Sequence, residues 1–212
     1  MIVLNDQRKG LLTMPHDTFL NLPDEKKQKL DHVLLSIFYD KHISQVKVAE
    51  IVNAMDMSRG AFYKYFDDLG DAYQYIVNKY SLIIHQDIIR YIQEDKNQFF
   101  LGIEKYLVWC SQLDHNSSYW KSLRLLTEAN DLSAYKRMPV TESSPLMKQW
   151  RDILDLSQIK MANLEEAVSF LFFIMELVMN ALTAFIANDW TTKELITDYR
   201  YRVKWIKTGV AH

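Results

Sequence analysis

Apolar residues recur at the spacing of an amphipathic helix along almost the whole chain. After Pro23, a proline position typical of a helix start, one stripe of a helix is formed by Leu30, Val33, Leu34, Ile37 and Phe38. Similar patterns predict helices over about 24–38 and 45–53, from 58 onward, and over about 68–95, 97–114, 117–129, 145–156, 163–188 and 191–209. Because we find no convincing strand pair, the chain is predicted to be all-α with about nine helices.

Two of these helices are predicted to begin with a capping box, in which a polar side chain and an acidic one three residues later cap each other's backbone N–H. The pairs are Asn163 with Glu166 and Thr191 with Glu194. The polar stretch Glu128–Pro145 holds two of the four prolines and is the best loop candidate.

Composition supports a helical globular protein and narrows its compartment. The chain is 49% hydrophobic and 25% charged, with only 5 glycines and 4 prolines among 212 residues. The single cysteine, Cys110, cannot form an internal disulfide, which fits a reducing compartment. The first ten residues lack the apolar core of a signal peptide. We therefore expect a cytoplasmic protein.

One apolar stretch is long enough to cross a membrane. Residues 167–187 are almost entirely apolar, but Glu176 stands at the centre and Asn180 lies one turn further on. A central carboxylate costs about 2.5–3.5 kcal/mol on insertion. We expect a buried core or interface helix and no membrane partner, with a spanning helix as the alternative.

Bulk charge gives little support to nucleic-acid binding. The formal net charge is −2, and residues 1–66 carry 9 basic against 8 acidic side chains. A DNA-binding interpretation must therefore rest on a motif.

That motif lies in residues 46–66, which pattern as two short helices joined by a tight turn. The apolar side of the pair comprises Val48, Ile51, Val52, Met57, Phe62 and Phe66. The opposite face suits a helix pressed against DNA, because small residues permit close approach, arginine can reach guanine edges, and lysine and tyrosine can bond phosphates. The candidate DNA-binding residues are Lys47, Ser58, Arg59, Gly60, Ala61, Tyr63, Lys64 and Tyr65. On periodicity alone, the two tyrosines could instead be core residues of a helical hairpin that has no DNA-binding role.

The segment resembles the recognition helix of the TetR family of transcriptional regulators, which reads roughly S-x-G-x-x-Y-x-Y-F. Residues 58–66 match every fixed position, and the resemblance covers residues 24–75 closely. It implies a helix-turn-helix DNA-binding domain over 23–67 and a ligand-binding and dimerisation domain over 68–212. The N-terminal arm over 1–22 is expected to be a frayed terminus, with a DNA-reaching arm through Arg8 and Lys9 as the alternative. The resemblance further implies a homodimeric regulator, most often a repressor. Such a protein binds a palindromic double-stranded DNA operator and responds to a small-molecule effector that changes the separation of the two heads.

Two positions depart from the family pattern. Asp56 replaces the usual glycine of the turn, and aspartate tolerates the left-handed conformation better than most residues. Leu69, preceded by Asp67 and Asp68, replaces the usual lysine after the recognition helix. We expect one phosphate contact to be missing there.

The apolar 163–188 helix carries a polar stripe that allows two interpretations. Its members are separated by 7, 4 and 3 residues and so share one helical face: Ser169, Glu176, Asn180 and Thr183. The stripe is either half-solvated or dimer-facing, or it anchors a ligand in an apolar cavity that Tyr106, Trp109 and Trp120 would help to line.

Dimerisation is predicted through the last two helices, 163–188 and 191–209, and the last one supplies the candidate residues. Four residues share one side of it: Leu195, Tyr199, Arg202 and Ile206. A monomer would expose this stripe, and such patches usually mark interfaces.

Signals for catalysis and metal binding are weak. The chain lacks G-x-S-x-G, Walker A, H-E-x-x-H and G-x-G-x-x-G motifs, and none of its six histidines has an i, i+4 partner. We expect no enzyme activity, no cofactor and no metal site. The alternative to a regulator is a helical small-molecule or partner-binding protein that retains the head fold without DNA function.

Overall fold

A computed structural model describes residues 15–95, 98–128 and 145–208, and within these ranges all regular secondary structure is helical. The helices are α1 Asp17–Leu20, α2 Asp24–Phe38, α3 Val48–Met55, α4 Arg59–Phe62, α5 Leu69–Glu94, α6 Phe99–Ser111, α7 Ser118–Glu128, α8 Pro145–Leu156, α9 Leu164–Ala187 and α10 Thr192–Thr208. The all-α prediction is confirmed, with ten helices described against about nine expected. The predicted 128–145 loop lies almost wholly outside the described residues.

One predicted capping box, at Thr191, is complete, and the other is half formed because the Glu166 carboxylate accepts from the N–H of Ala162 and not from that of Asn163. The Asn163 side chain accepts a hydrogen bond from the backbone N–H of Glu166 at 2.9 Å. At the start of α10, the N–H of Thr191 donates to the Glu194 carboxylate at 2.8 Å, and the N–H of Glu194 donates to the Thr191 hydroxyl at 3.3 Å. These bonds satisfy N–H groups that a helix end leaves unpaired, which is why the sequence locates these starts well.

Internal contacts divide the chain into two compact units, one ending at Lys79 and one beginning at Tyr80. We call them the head unit and the core unit. The division falls inside α5, one helix that contributes to both.

The head unit buries a short helix that the sequence pattern did not reveal. Helix α1 lies within the segment predicted as an arm, and its Phe19 ring is 1% exposed. That ring contacts Phe66 and Tyr75, with centroids 5.4 and 4.9 Å apart. The arm residues Arg8 and Lys9 lie outside the described residues. Four helical residues are too few to show a periodicity, so only the packing identifies α1.

A buried polar cluster joins α2 to the first turns of α5. The Asp31 carboxylate is 4% exposed. One of its oxygens accepts a hydrogen bond from the Tyr75 hydroxyl at 2.8 Å, and the other pairs with the Lys79 ammonium. A buried carboxylate needs such partners because burial removes its hydration.

The core unit packs α6 to α10 and the second half of α5 around one apolar cluster. Trp150 of α8 is fully buried, and its indole N–H donates to the Ala167 carbonyl at 2.9 Å. Gly102 of α6 lies so close to α5 that an added Cβ would stand 2.6 Å from the Ile92 Cα and the Tyr91 carbonyl oxygen. Close packing of this kind fixes α6 against α5.

Within the described ranges, α9 is the one helix long and apolar enough to cross a membrane by length and composition alone. One side of α9 packs into the core cluster through Leu171, Ile174, Val178 and Leu182. The opposite side carries Glu176 and Asn180, which are exposed. This placement agrees with the expectation of a core or interface helix.

One titratable group of the core unit predicts a pH-dependent stability. Burial lowers the pKa of His85 from 6.5 to about 4, because the charged imidazolium loses hydration. The unfolded chain therefore binds more protons than the folded protein between these pH values, and the free energy of unfolding falls as the pH drops from 6.5 towards 4. Since His85 keeps part of its surface exposed, we expect the loss to be only about 1 kcal/mol.

Urea unfolding measured across this pH range checks the prediction. His85→Gln should flatten the pH dependence, whereas replacing the exposed His32 with glutamine should leave it unchanged. Equal pH dependence in wild type and His85→Gln would contradict the assignment.

Candidate nucleic-acid interface

The helix-turn-helix element consists of α3, a tight turn and α4. The turn depends on Asp56, whose φ of 51° and ψ of 49° lie in the left-handed region. The N–H of Met57 donates back to the Val52 carbonyl at 3.0 Å and closes the end of α3. The expectation that aspartate can serve in place of glycine at this turn is confirmed.

Ser58 caps the start of α4 with its side chain. Its hydroxyl accepts a hydrogen bond from the N–H of Ala61 at 3.1 Å. Helix α4 has only four residues, Arg59–Phe62, so its dipole is small. A four-residue helix with a capped start has little capacity of its own to bind a phosphate.

Most of the predicted DNA-binding residues lie on one exposed surface, which we call the α4 face. It comprises Ser58, Arg59, Gly60, Tyr63 and Lys64, and Tyr63 is 51% exposed. Ala61 beside them is half-buried, and Lys47 is exposed just before α3. An added Cβ at Gly60 would meet only the Ser58 hydroxyl oxygen, at 3.8 Å. Internal packing thus gives no reason for a glycine there.

Tyr65 does not belong to the α4 face, and its predicted outward position is wrong. Its side chain is only 5% exposed and lies edge-on to Phe19, with centroids 6.0 Å apart. The α-helix ends at Phe62, and the N–H of Tyr65 donates to the Phe62 carbonyl at 2.8 Å, an i to i−3 bond that tightens the backbone. A tightened turn changes the direction of the next side chains, so Tyr65 points into the core of the head.

The segment after α4 is acidic and is held by internal bonds. Asp67 contacts the His16 ring at 2.9 Å, and the Asp68 carboxylate accepts from the N–H of Asp71 at 2.9 Å. Leu69, the first residue of α5, is half-buried. The carboxylates thus have structural partners, and the missing phosphate contact at Leu69 stays a prediction.

The predicted ligand-binding residues do not surround one cavity. Ser169, Glu176 and Asn180 are exposed on the outer side of α9, and the Thr183 hydroxyl donates to the Met179 carbonyl at 2.9 Å. Helical spacing correctly placed these four on one face, but the opposite face of α9 carries the larger apolar side chains and takes the buried position.

The aromatic members of the predicted ligand set lie elsewhere in the core unit. Tyr106 is fully buried, with its hydroxyl 3.1 Å from that of Tyr119, and Trp109 is half-buried beside it. Trp120 stacks on His115 with ring centroids 4.1 Å apart. A cavity formed jointly by these rings and the α9 stripe is therefore a wrong prediction.

The predicted dimerisation stripe of α10 faces inward. Leu195 and Tyr199 are 0% and 1% exposed, and the Tyr199 hydroxyl donates to the Phe100 carbonyl at 2.9 Å. Arg202 donates to the Asn180 side chain at 2.6 Å and pairs with Asp198 at 2.7 Å. Ile206 is half-buried. Burial of Leu195 and Tyr199 needs no second chain, because α6 of the same unit covers them.

Three other large residues of the same two helices are exposed, and we call the side of the helix pair that carries them the α9–α10 face. Its exposed large residues are Phe173 of α9 with Tyr201 and Trp205 of α10, at 44%, 56% and 51% exposure. The Asn180–Arg202 hydrogen bond crosses between the helices beside them. Sequence analysis did not single out these three residues because it followed the more regular stripe of Leu195, Tyr199, Arg202 and Ile206 on α10.

In the described ranges no group of three or more histidine, cysteine or carboxylate side chains is arranged to hold a metal ion. Two open surface grooves of the core unit, one along the first turns of α10 and one at the junction of α8 and α9, contain none of the predicted ligand residues.

Comparisons with known proteins give a family for the chain. A family model described as "Tetracyclin repressor-like, C-terminal domain" matches residues 98–210. A TetR family transcriptional regulator from Chloroflexus aurantiacus J-10-FL is 18% identical, with 92% of this chain and 91% of that chain covered and a TM-score of 0.45. A TetR transcriptional regulator from Rhodococcus sp. RHA1 is 13% identical, with coverages of 89% and 99% and a TM-score of 0.47. A SmeT–triclosan complex is 11% identical, with coverages of 77% and 81% and a TM-score of 0.48.

No curated protein matches the chain by sequence. The family match spans more than half of the chain and covers α6 to α10 of the core unit. It is independent of the recognition motif in the head unit, which lies outside the matched residues. The chain belongs to the TetR family of transcriptional regulators.

Proposed function

We propose that the protein binds a palindromic DNA operator as a homodimer and represses transcription until a small-molecule effector releases it. The observation that carries this proposal is the α4 face, where an arginine, a lysine and a tyrosine surround a glycine with open space above it. Arginine reads guanine edges, and lysine and tyrosine bond phosphates.

The exposed cations of the α4 face have no competing structural role among the described residues. Arg59 and Lys64 form no ion pair with another described side chain, whereas nearby Lys41 is held by Glu50 at 2.6 Å. Cations that form no internal ion pair and lie beside a glycine favour an external anionic partner. For a member of the TetR family, the expected partner is the phosphate backbone of a DNA duplex.

Two substitutions on the α4 face distinguish base reading from phosphate contact. Arg59→Ala should cost about 1–3 kcal/mol at the preferred site and relax base preference, if the guanidinium contacts a base edge. Lys64→Ala should weaken all sequences alike and reduce the salt slope by about one unit. Selection from random DNA followed by salt-dependent mobility shifts measures both effects. Wild-type binding by both variants would reject the α4 face as the DNA-contacting surface.

The same titration separates a regulator from a partner-binding protein that keeps only the head fold. A DNA-binding head loses affinity steeply as salt rises, because bound lysine and arginine release counterions from the duplex. A protein without DNA function would select no sequence.

The proposed dimer interface is the α9–α10 face. An isolated core unit exposes Phe173, Tyr201 and Trp205 together, and exposed aromatic clusters of this kind mark association sites. The Glu176 and Asn180 side chains lie on the same side of α9 and would contribute polar contacts. A two-fold dimer also brings two recognition helices to half-sites about 34 Å apart.

Sedimentation equilibrium tests the dimer. We expect Trp205→Ser to weaken association by about 2 kcal/mol or more, since buried aromatic anchors dominate such interfaces. Leu156→Ser on α8 is a matched control, because Leu156 is equally exposed, at 55%, but lies outside this face. A wild-type monomer at micromolar concentration that still binds DNA would contradict the dimer.

Effector control requires that the ligand bind the DNA-free form more tightly than the DNA-bound form. A tenfold loss of DNA affinity needs about 1.4 kcal/mol of coupling between the two sites. We place the effector site in the core unit, as the family match to that unit favours.

A further inference from the structure

A cluster of aromatic rings in the core unit lies apart from the α9 stripe. Tyr91 of α5, Tyr106 and Trp109 of α6, and Tyr119 of α7 contact one another, with ring centroids 4.6 to 6.0 Å apart. Tyr106 is fully buried, and the other three rings are half-buried. Three helices hold the rings in place, and the three half-buried rings each keep part of their surface accessible to solvent.

A carboxylate stands beside these rings. Asp87 lies one turn before Tyr91 on α5 and is half-buried. Burial first, and then the negative charge of Asp87, raise the pKa of the Tyr119 hydroxyl and of the Cys110 thiol. Its position one turn before Tyr91, whose ring contacts Tyr106 and Trp109, puts the carboxylate at the edge of the cluster. Because the thiol and phenol stay neutral at physiological pH, Asp87 supplies the local charge.

Arg90 already places a cation beside Asp87 and the Tyr91 ring. The Arg90 guanidinium lies 4.9 Å from the centroid of the Tyr91 ring and donates to the Asp87 carboxylate at 3.0 Å. Its side chain is 51% exposed, and it also donates to Glu94 at 3.0 Å. A cation over an aromatic face and beside a carboxylate is the arrangement that recognises organic cations. Because Arg90 is exposed and shared between two carboxylates, a ligand can displace it at small cost.

We propose that Asp87, Tyr91, Trp109 and Tyr119 form a binding site for an organic cation of the quaternary ammonium type. This inference deepens the proposed function, since such a cation would be the effector class. An anionic ligand would meet the Asp87 charge without a compensating cation once Arg90 is displaced. A neutral ligand would gain the apolar contacts but leave the carboxylate unused.

Direct binding to the DNA-free, full-length protein tests the site independently of operator recognition. Phenyltrimethylammonium and its neutral isostere tert-butylbenzene have the same shape and differ in charge, so calorimetric titration of both isolates the contribution of the charge. We expect wild type to bind the cation about tenfold more tightly than the isostere, as one desolvated cation–π contact with a carboxylate provides.

Four variants locate that contribution. Asp87→Asn should lose about tenfold in affinity for the cation and little for the isostere, and Trp109→Leu should weaken the cation severalfold. Glu94→Gln is the matched control, because Glu94 also pairs with Arg90. The affinity of this variant for the cation should stay within about twofold of wild type. Arg90→Gln removes the resident cation and should tighten binding.

Each outcome decides the proposal. Selective binding of the cation that depends on Asp87 and Trp109 supports it. No binding of phenyltrimethylammonium at millimolar concentration, equal binding of the isostere, or unchanged cation affinity in Asp87→Asn overturns it. Thermal melts of each variant verify folding. Because no DNA is present, a failure of operator binding would not change these results, and titration of the protein–DNA complex separately tests whether the cation is the effector.

Discussion

Gly102→Ala should destabilise the core unit by about 3 kcal/mol or more. The added methyl group would stand 2.6 Å from backbone atoms of Tyr91 and Ile92 on α5, a distance that real side chains do not reach. A backbone segment cannot rotate aside as a side chain can, so α5 and α6 must separate. Overpacking costs about 1–3 kcal/mol where side chains can adjust, and more where they cannot.

Gly60→Ala is the matched control, with the opposite expected sign. The new methyl group would enter open space on the α4 face and would reduce the chain entropy of the unfolded state, which raises stability by up to about 1 kcal/mol. Its DNA affinity should fall if the α4 face approaches the duplex closely. Urea unfolding of both variants gives the comparison, and a wild-type midpoint for Gly102→Ala would contradict the close approach of α6 to α5.

Lys79→Met should destabilise the head unit by about 3 kcal/mol. The substitution leaves the Asp31 carboxylate, 5% exposed, with the Tyr75 hydroxyl but without its cation. Breaking a buried ion pair from one side costs about 3–5 kcal/mol. We expect the lower end of that range, because the Lys79 side chain is 35% exposed and solvent screens part of the interaction.

A double variant separates the ion pair from general packing damage. Replacing Asp31 with leucine in the Lys79→Met background removes both charges, and stability should return to within about 1 kcal/mol of wild type. Lys27→Met serves as the control, since Lys27 pairs at 3.6 Å with an exposed Asp24 and should change little. A Lys79→Met variant as stable as Lys27→Met would show that the buried Asp31–Lys79 pair does not stabilise the head unit.

The sequence predicted most helices well because apolar periodicity and capping residues act locally. The starts of α9 and α10 follow from side chains three residues apart, and the turn at Asp56 follows from a residue type that tolerates left-handed backbone. Helix α1 and the inward turn of Tyr65 depend on contacts between distant parts of the chain. No local pattern records them.

The sites were harder to predict because periodicity groups residues on a face without saying which way the face points. The Glu176 stripe and the Leu195 stripe were both recognised correctly as faces. The structure assigns the first to the outside and the second to the inside, because the larger apolar surface of each helix takes the core position. The proposed cation site of Asp87, Tyr91, Trp109 and Tyr119 draws its residues from three helices, so no spacing along the chain could reveal it.

Because Cys110 is buried, the reactivity of its thiol reports on opening of the core unit. The thiol is fully buried and its pKa is raised to about 12, so almost no reactive thiolate exists in the folded state at neutral pH. Alkylating reagents should therefore modify this single cysteine only when the core unit opens, and the modification rate measures how often that happens. The same inertness leaves any cysteine introduced at an exposed position outside the proposed dimer interface, such as Leu156, as the one fast-reacting site for a spectroscopic label.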